Sequence, residues 1–256
     1  MAILVTRPAP DNEKTAAALR ARGYDALLSP MLRYEAIAFH GEDDAAYDAV
    51  VITSANAIRA IESHPSRMRL FGLRAFTVGE HSAEAARGAG FGEVISAKAG
   101  AHALSGLIAK NVTSGKLKKG ATLCYLAGAD LAHDLAADLG ARGFTVVTHT
   151  TYRMVPVAGF PAGIGEAFRA DGVEAVLHYS RRSARAFLDA ARTDGIEISA
   201  LALPQCCISD AVAGILREAG AMQVVTARTP DESAVLAALD RIVKAPSKGT
   251  SRASST

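Results

Sequence analysis

Thr53, Ser54 and Asn56 stand where a buried apolar run gives way to a helical pattern, in VVITSANAIRAI over residues 50–61. Side chains of this kind cap a helix N-terminus, where unpaired backbone N–H groups and the positive end of the helix dipole favour an anion. The device recurs in AVLHYSRRSARAF over residues 175–187, where Ser180, Arg181, Arg182 and Ser183 add two guanidinium forks suited to carboxylates. Further donor-rich turns are Thr6-Arg7, Gly79-Glu80-His81-Ser82, Gly128-Ala129-Asp130 and Ser209-Asp210. Together they offer binding and orientation of a polyanion. Taken singly, each Ser or Thr is accounted for by capping, Arg7 by a surface ion pair, and Arg181 and Arg182 by a solvated turn. Convergence on one ligand is what would make them a site. Asp130 and Asp210 read as helix caps, since a carboxylate is a poor neighbour for an anion.

Other chemistries lack their signatures. The seven histidines, His40, His64, His81, His102, His133, His149 and His178, show no ligand spacing, so no metal is expected. Gly88-Ala89-Gly90-Phe91-Gly92 ends a helix and precedes a strand, the reverse of a dinucleotide loop. No GxxxxGK[ST] occurs, and a chain without Trp is a poor flavin host. No cofactor is therefore expected. A formal net charge of +2 from dispersed Lys and Arg gives no footprint for nucleic acid. No apolar segment reaches the length of a membrane span. Cys124, Cys206 and Cys207 lie in apolar runs without a CxxC, which suits burial in a reducing, cytoplasmic setting. Residues 246–256 read as a disordered tail.

The elements that must position these turns emerge when the chain is slid along itself. ILVTRPAPDNEKTAAALRARGY, residues 3–24, aligns without gaps on LCYLAGADLAHDLAADLGARGF, residues 123–144. Each is a strand, a turn, and a helix closed by Gly23 or Gly143 before an aromatic. Residues 47–61 align on 173–187, and residues 75–95 on 205–225. A last helix closes each half, near residues 101–110 and 231–244. Strands alternating with helices of about a dozen residues imply parallel sheets covered on both faces, hence two doubly wound α/β domains. Residues 34–44 and 151–161 read as two extended linker segments crossing between them.

ValThrArgPro at the start, ThrSerAlaAsnAla, ValGlyGluHisSerAla followed by GlyAlaGlyPhe, and the late CysIleSerAspAlaValAla with GluAlaGlyAla resemble the uroporphyrinogen-III synthase family over nearly the whole chain. The resemblance implies two flavodoxin-like domains joined by a two-stranded linker. The first strand-helix unit is exchanged, so that residues 1–33 join 162–245 and residues 45–150 form the other domain. It also implies a cofactor-independent, cyclising lyase acting as a monomer. The reaction closes hydroxymethylbilane, a linear tetrapyrrole, with inversion of ring D, to uroporphyrinogen III plus water. Substrate contacts would come from Arg7, Thr53, Ser54, Asn56, Gly79, His81, Ser180, Arg181, Arg182, Ser183 and Ser209. Ser82 stands where the family usually has a threonine considered for assisting departure of the hydroxyl. The equivalent turn of the second half carries Val212, with Ser209 as a substitute. A tyrosine that some members place on the first helix after the linker is replaced here by Ala167 and Phe168, leaving Tyr152 or Tyr179 as substitutes by type. A reading from another class is a non-catalytic two-domain receptor for a small anion.

Overall fold

The computed structural model describes residues 2–38, 46–97, 100–131 and 133–243. The expected tail at 246–256 and linker residues 39–44 lie outside them. In chain order the elements begin with β1 (Ala2–Val5), α1 (Asp11–Ala21), β2 (Asp25–Leu28) and β3 (Leu32–Ala36). They continue with β4 (Ala49–Ile52), α2 (Ala55–Ile61), α3 (Arg67–Phe71), β5 (Arg74–Thr77), α4 (Glu80–Ala89), β6 (Glu93–Ser96) and α5 (Gly100–Thr113). Next come β7 (Thr122–Gly128), α6 (Leu135–Ala141), β8 (Thr145–Pro156) and α7 (Ile164–Arg169). The chain closes with β9 (Val173–His178), α8 (Arg181–Thr193), α9 (Glu197–Ala202), β10 (Pro204–Cys207), α10 (Asp210–Glu218), β11 (Gln223–Thr226) and α11 (Glu232–Ile242).

Two compact units result, one built from the chain up to Arg33 and from Val155 onward, the other from Tyr34–Met154. The first holds a five-stranded sheet in the order β11-β10-β9-β1-β2, parallel at every pairing. This is the flavodoxin-like order with β1 beside β9 rather than β4. The second holds a six-stranded sheet in the order β3-β8-β7-β4-β5-β6, parallel from β8 to β6. Residues 34–36 and 151–156 of the expected linker segments are extended. Residues 151–156 are the end of β8, and Tyr34 to Ala36 belong to β3, which lies beside it.

Ala49 to Ile52 are fully buried, as the central strand of a sheet covered on both faces must be. On one face Val51, Phe76, Leu123 and Tyr125 pack against Leu104 and Ile108 of α5; on the other Val50, Ile52, Cys124 and Leu126 pack against Ile58 and Ile61 of α2. In the first unit Ile3, Val5, Leu177 and Cys206 pack under Val235 and Leu239 of α11. Gly23 and Gly143 both end a helix at positive φ, 88° and 87°, where a side chain would be strained. All three cysteines are free and buried, and burial pushes each thiol up to about 12, so none is a ready nucleophile.

Two expected caps are corrected. Asp130 lies well before α6, whose N-cap is Asp134, accepting from the backbone N–H of Ala137 at 2.9 Å. The repeat aligns Leu131 with Asp11, the first residue of α1, yet α6 begins only at Leu135: β7 is longer than β1 and its helix starts later. Asp210 is likewise not a cap. Ser209 holds the N-cap position of α10, and the Asp210 carboxylate accepts from the Thr226 hydroxyl at 3.0 Å.

Candidate functional site

The late start of α6 leaves room at the carboxyl ends of β4, β5, β7 and β8, where ligands of doubly wound sheets bind. A cleft of about 290 Å³ opens there within the second unit. It is lined by Thr53, Ser54, Tyr125, Gly128, Asp130 and Tyr152, with Val78, Ala101, Leu131, His133 and Leu135 around them.

Each polar group has a structural cause for its place. Ser54 is the N-cap of α2, and its hydroxyl accepts the Asn56 backbone N–H at 3.2 Å. The capping function thus holds this hydroxyl at the cleft. Thr53 Oγ1 lies 3.4 Å from the hydroxyl of Tyr125, which is 2% exposed. Burial raises the Tyr125 phenol above its ordinary value while the bond from Thr53 opposes the shift, so it stays a neutral hydroxyl near pH 7. Tyr152 comes from β8 and stacks against Tyr34, with ring centroids 5.9 Å apart and planes 21° from parallel. The Arg59 guanidinium lies 4.3 Å over the Tyr34 ring. Near the mouth, His133 Nε2 lies 2.6 Å from the Asp138 carboxylate, and that hydrogen bond holds the carboxyl below its usual range.

The cleft therefore gathers two phenols, two aliphatic hydroxyls, an imidazole and the Asp130 carboxylate. Hydroxyls of this kind donate to a departing oxygen or a carboxylate, whereas Asp130 can accept from an N–H. Among the described residues no group of three or more His, Cys, Asp and Glu side chains is placed to hold a metal ion. No helix among them is long and apolar enough to cross a membrane.

Of the expected site residues in this unit, Thr53 and Ser54 meet in the cleft. Asn56 is turned to Met154, its amide 3.7 Å from the sulfur. Gly79 is the N-cap of α4 and His81 is exposed on its first turn. Ser82 is 7% exposed and outside the lining. In the sequence Tyr125 and Gly128 read only as strand and turn, and Asp130 as a cap. Their shared position depends on the strand order and on the displaced helix start, which no local signal announces.

The first unit carries its own rim of donors. Ser180 caps α8, accepting from the Ser183 backbone N–H at 3.1 Å and donating to the Ser183 hydroxyl at 2.9 Å. Arg181 is exposed and Arg182 half-buried on the same first turn. Ser209 stands at the start of α10 without a side-chain capping bond. Arg7 follows β1 and lies 4.4 Å over the Tyr179 ring, paired with Asp11 at 3.3 Å and Glu232 at 3.5 Å. Burial raises the Tyr179 phenol strongly, with Glu232 adding to the shift. Phe168, on the first helix after the linker, is core: it packs with Phe160 and Phe187 at centroid distances of 5.8 and 6.5 Å. Val212 is 3% exposed.

A family model described as uroporphyrinogen-III synthase HemD matches residues 13–237. No curated protein matches the chain in sequence. Among solved structures, the uroporphyrinogen-III synthetase of Helicobacter pylori superposes with a TM-score of 0.64 at 15% identity, over 94% of this chain and 99% of that one. A mutant uroporphyrinogen III synthase of Thermus thermophilus gives 0.54 at 17% identity, over 94% and 98%. At these identities the two structures bear on the fold alone.

Proposed function

The chain belongs to the uroporphyrinogen-III synthase family, and from that premise we infer that the cleft bounded by Thr53, Tyr125, Gly128 and Tyr152 is where its second unit handles the substrate. The family closes a linear tetrapyrrole, hydroxymethylbilane, into uroporphyrinogen III with loss of water. Loss of the substrate's hydroxyl to an azafulvene is intrinsically easy, and closure without enzyme gives the wrong isomer. What the protein must supply is geometry: ring D has to react at its substituted carbon, through a spiro intermediate, before the macrocycle closes. Holding reacting atoms in that arrangement is worth up to about 7–11 kcal/mol in favourable cases.

In this reading Tyr152 donates a proton to the departing hydroxyl, leaving water. A proton donor suits this step because the leaving group is poor as hydroxide and good as water. Thr53 and Ser54 present hydroxyls beside it. Asp130 is the natural acceptor for pyrrole N–H groups, and its charge opposes the positive character that develops as the hydroxyl leaves. A cleft of about 290 Å³ is at the low end of ligand pockets, roughly 300–1,000 Å³, so it takes part of a four-ring chain. The substrate's eight carboxylates call for donors elsewhere, and Arg7, Ser180, Arg181, Arg182, Ser183 and Ser209 are proposed to supply some in the first unit. We take the protein to act as a cytoplasmic monomer; three free, buried thiols support the compartment.

The observation that supports the assignment best is the convergence of Thr53, Ser54, Tyr125 and Tyr152 on one cleft at the carboxyl ends of three strands. The test is to supply purified protein with hydroxymethylbilane and to oxidise and separate the products, with no metal, flavin or nucleotide added. The type III isomer is expected to predominate. A mixture dominated by type I, as in an enzyme-free control, overturns the assignment in favour of a receptor. Tyr152→Phe is expected to lower kcat about 100-fold, in the usual range for loss of a general acid.

A further inference from the structure

The pairing of β7 with β8 changes register at its carboxyl end. Ala127 stands opposite Thr150, whereas Gly128 stands opposite Tyr152. β8 therefore carries one residue more than β7 there, Thr151, the count that defines a β-bulge. The groups disturbed by it are paired. The Thr151 hydroxyl, fully buried, donates to the Ala127 carbonyl at 3.1 Å. The Ile37 N–H donates to the Thr151 carbonyl, and the Ala129 N–H to that of Tyr152, both at 2.8 Å.

The consequence is a change of face. In an unbroken strand, residues an even number apart point the same way. Val146 packs with Leu123 and Tyr125 on one face of the sheet, while Tyr152, an even number of positions later, packs with Ile52 and Cys124 on the other. The extra residue has turned the phenol over. Gly128 then makes room for it: a Cβ at this position would stand 2.7 Å from Tyr152 Cζ and 2.8 Å from its hydroxyl oxygen. The Gly128 backbone is outside the left-handed region, so alanine is conformationally acceptable and the phenol is the nearest obstacle.

We propose that Gly128 and Thr151 are positioning residues of the reaction, the bulge turning Tyr152 toward the cleft and the bare glycine fixing where its hydroxyl rests. The inference rests on the assignment of the acid to Tyr152. Because the atoms met by a new Cβ are the far end of one side chain, Gly128→Ala shifts the phenol rather than the strand. It is expected to keep the parent's melting temperature within a few degrees, to lower kcat at least tenfold with KM nearly unchanged, and to raise the share of type I product. In a Tyr152→Ala background there is no ring to displace, and adding Gly128→Ala is expected to change nothing further. Thr151→Ser keeps the hydroxyl bond and most of the activity, while Thr151→Val loses both.

The outcomes separate the two claims. If Tyr152→Ala is as active as the parent, the acid assignment fails. If Tyr152→Ala is impaired but Gly128→Ala is not, or if the effects of the two substitutions simply multiply, the positioning role fails and the acid assignment stands. Should Gly128→Ala not fold, the comparison of Thr151→Ser with Thr151→Val decides, and equal activity overturns the role.

Discussion

His178 Nε2 lies 2.8 Å from Gln205 Oε1, and Gln205 has committed its amide N–H groups to the carbonyls of Ala200 and Leu203, at 2.7 and 2.8 Å. The glutamine oxygen can only accept, so His178 carries its proton on Nε2 and Nδ1 is a bare lone pair. That Nδ1 is buried without a hydrogen-bond partner, at the end of β9. An imidazolium here would leave its Nδ1–H without an acceptor, and burial lowers the pKa to about 4 although the Gln205 bond opposes the shift.

A pH dependence of stability follows from this pair. The folded state keeps His178 neutral, while the unfolded chain protonates it near its ordinary value of about 6.5. Between about pH 6.5 and 4 the unfolded state binds the extra proton, so stability is lost as the pH falls, at up to about 1.4 kcal/mol per unit from this group. Above pH 6.5 it adds no slope. Chemical denaturation at pH 7.5, 5.5 and 4.5 measures the trend, and a His178→Phe chain is expected to show a shallower one. Equal slopes in the two chains would rule out this histidine as the source.

Arg7 is held by the carboxylates of Asp11 and Glu232 and lies over the Tyr179 ring. Removing it leaves Asp11 with Lys14 at 3.8 Å and Glu232 with the Thr15 hydroxyl, so both carboxylates lose their guanidinium partner. Arg7→Ala is expected to destabilise the fold by about 1–2 kcal/mol at low salt, less at high salt. If Arg7 also holds a substrate carboxylate, KM rises severalfold with kcat little changed. Thermal melts and steady-state kinetics on one preparation separate the two effects, and an unchanged KM would confine Arg7 to the ion pairs.

Ser82 is 7% exposed and outside the lining of the cleft. Ser82→Ala is therefore expected to lower turnover less than tenfold. A loss of 100-fold or more in a folded variant, the scale of a missing general acid, would transfer to Ser82 the role given to Tyr152.

The repeat in the chain already held the main strand-helix units, though not β2, α3 or α9. Ser54 and Ser180 cap the helices they precede, and Gly23 and Gly143 end theirs, because capping and left-handed closure involve residues within a few positions of each other. The apolar run ending at Ile52 likewise marked a strand covered on both faces. Such signals are local, and local chemistry is written in order along the chain.

Pairing and register are not written that way. Nothing in residues 3–24 says that β1 pairs with β9, since β4 offers an equally apolar partner, and the choice is made by packing between segments far apart in the chain. Thr151 looks like any strand residue until β7 lies beside it, and only then does the surplus residue turn Tyr152 over Gly128. The order of residues determined which elements form and where donor-rich turns stand; long-range contacts chose which of those turns share a cleft, because a shift of one residue in register reverses the face of every side chain beyond it.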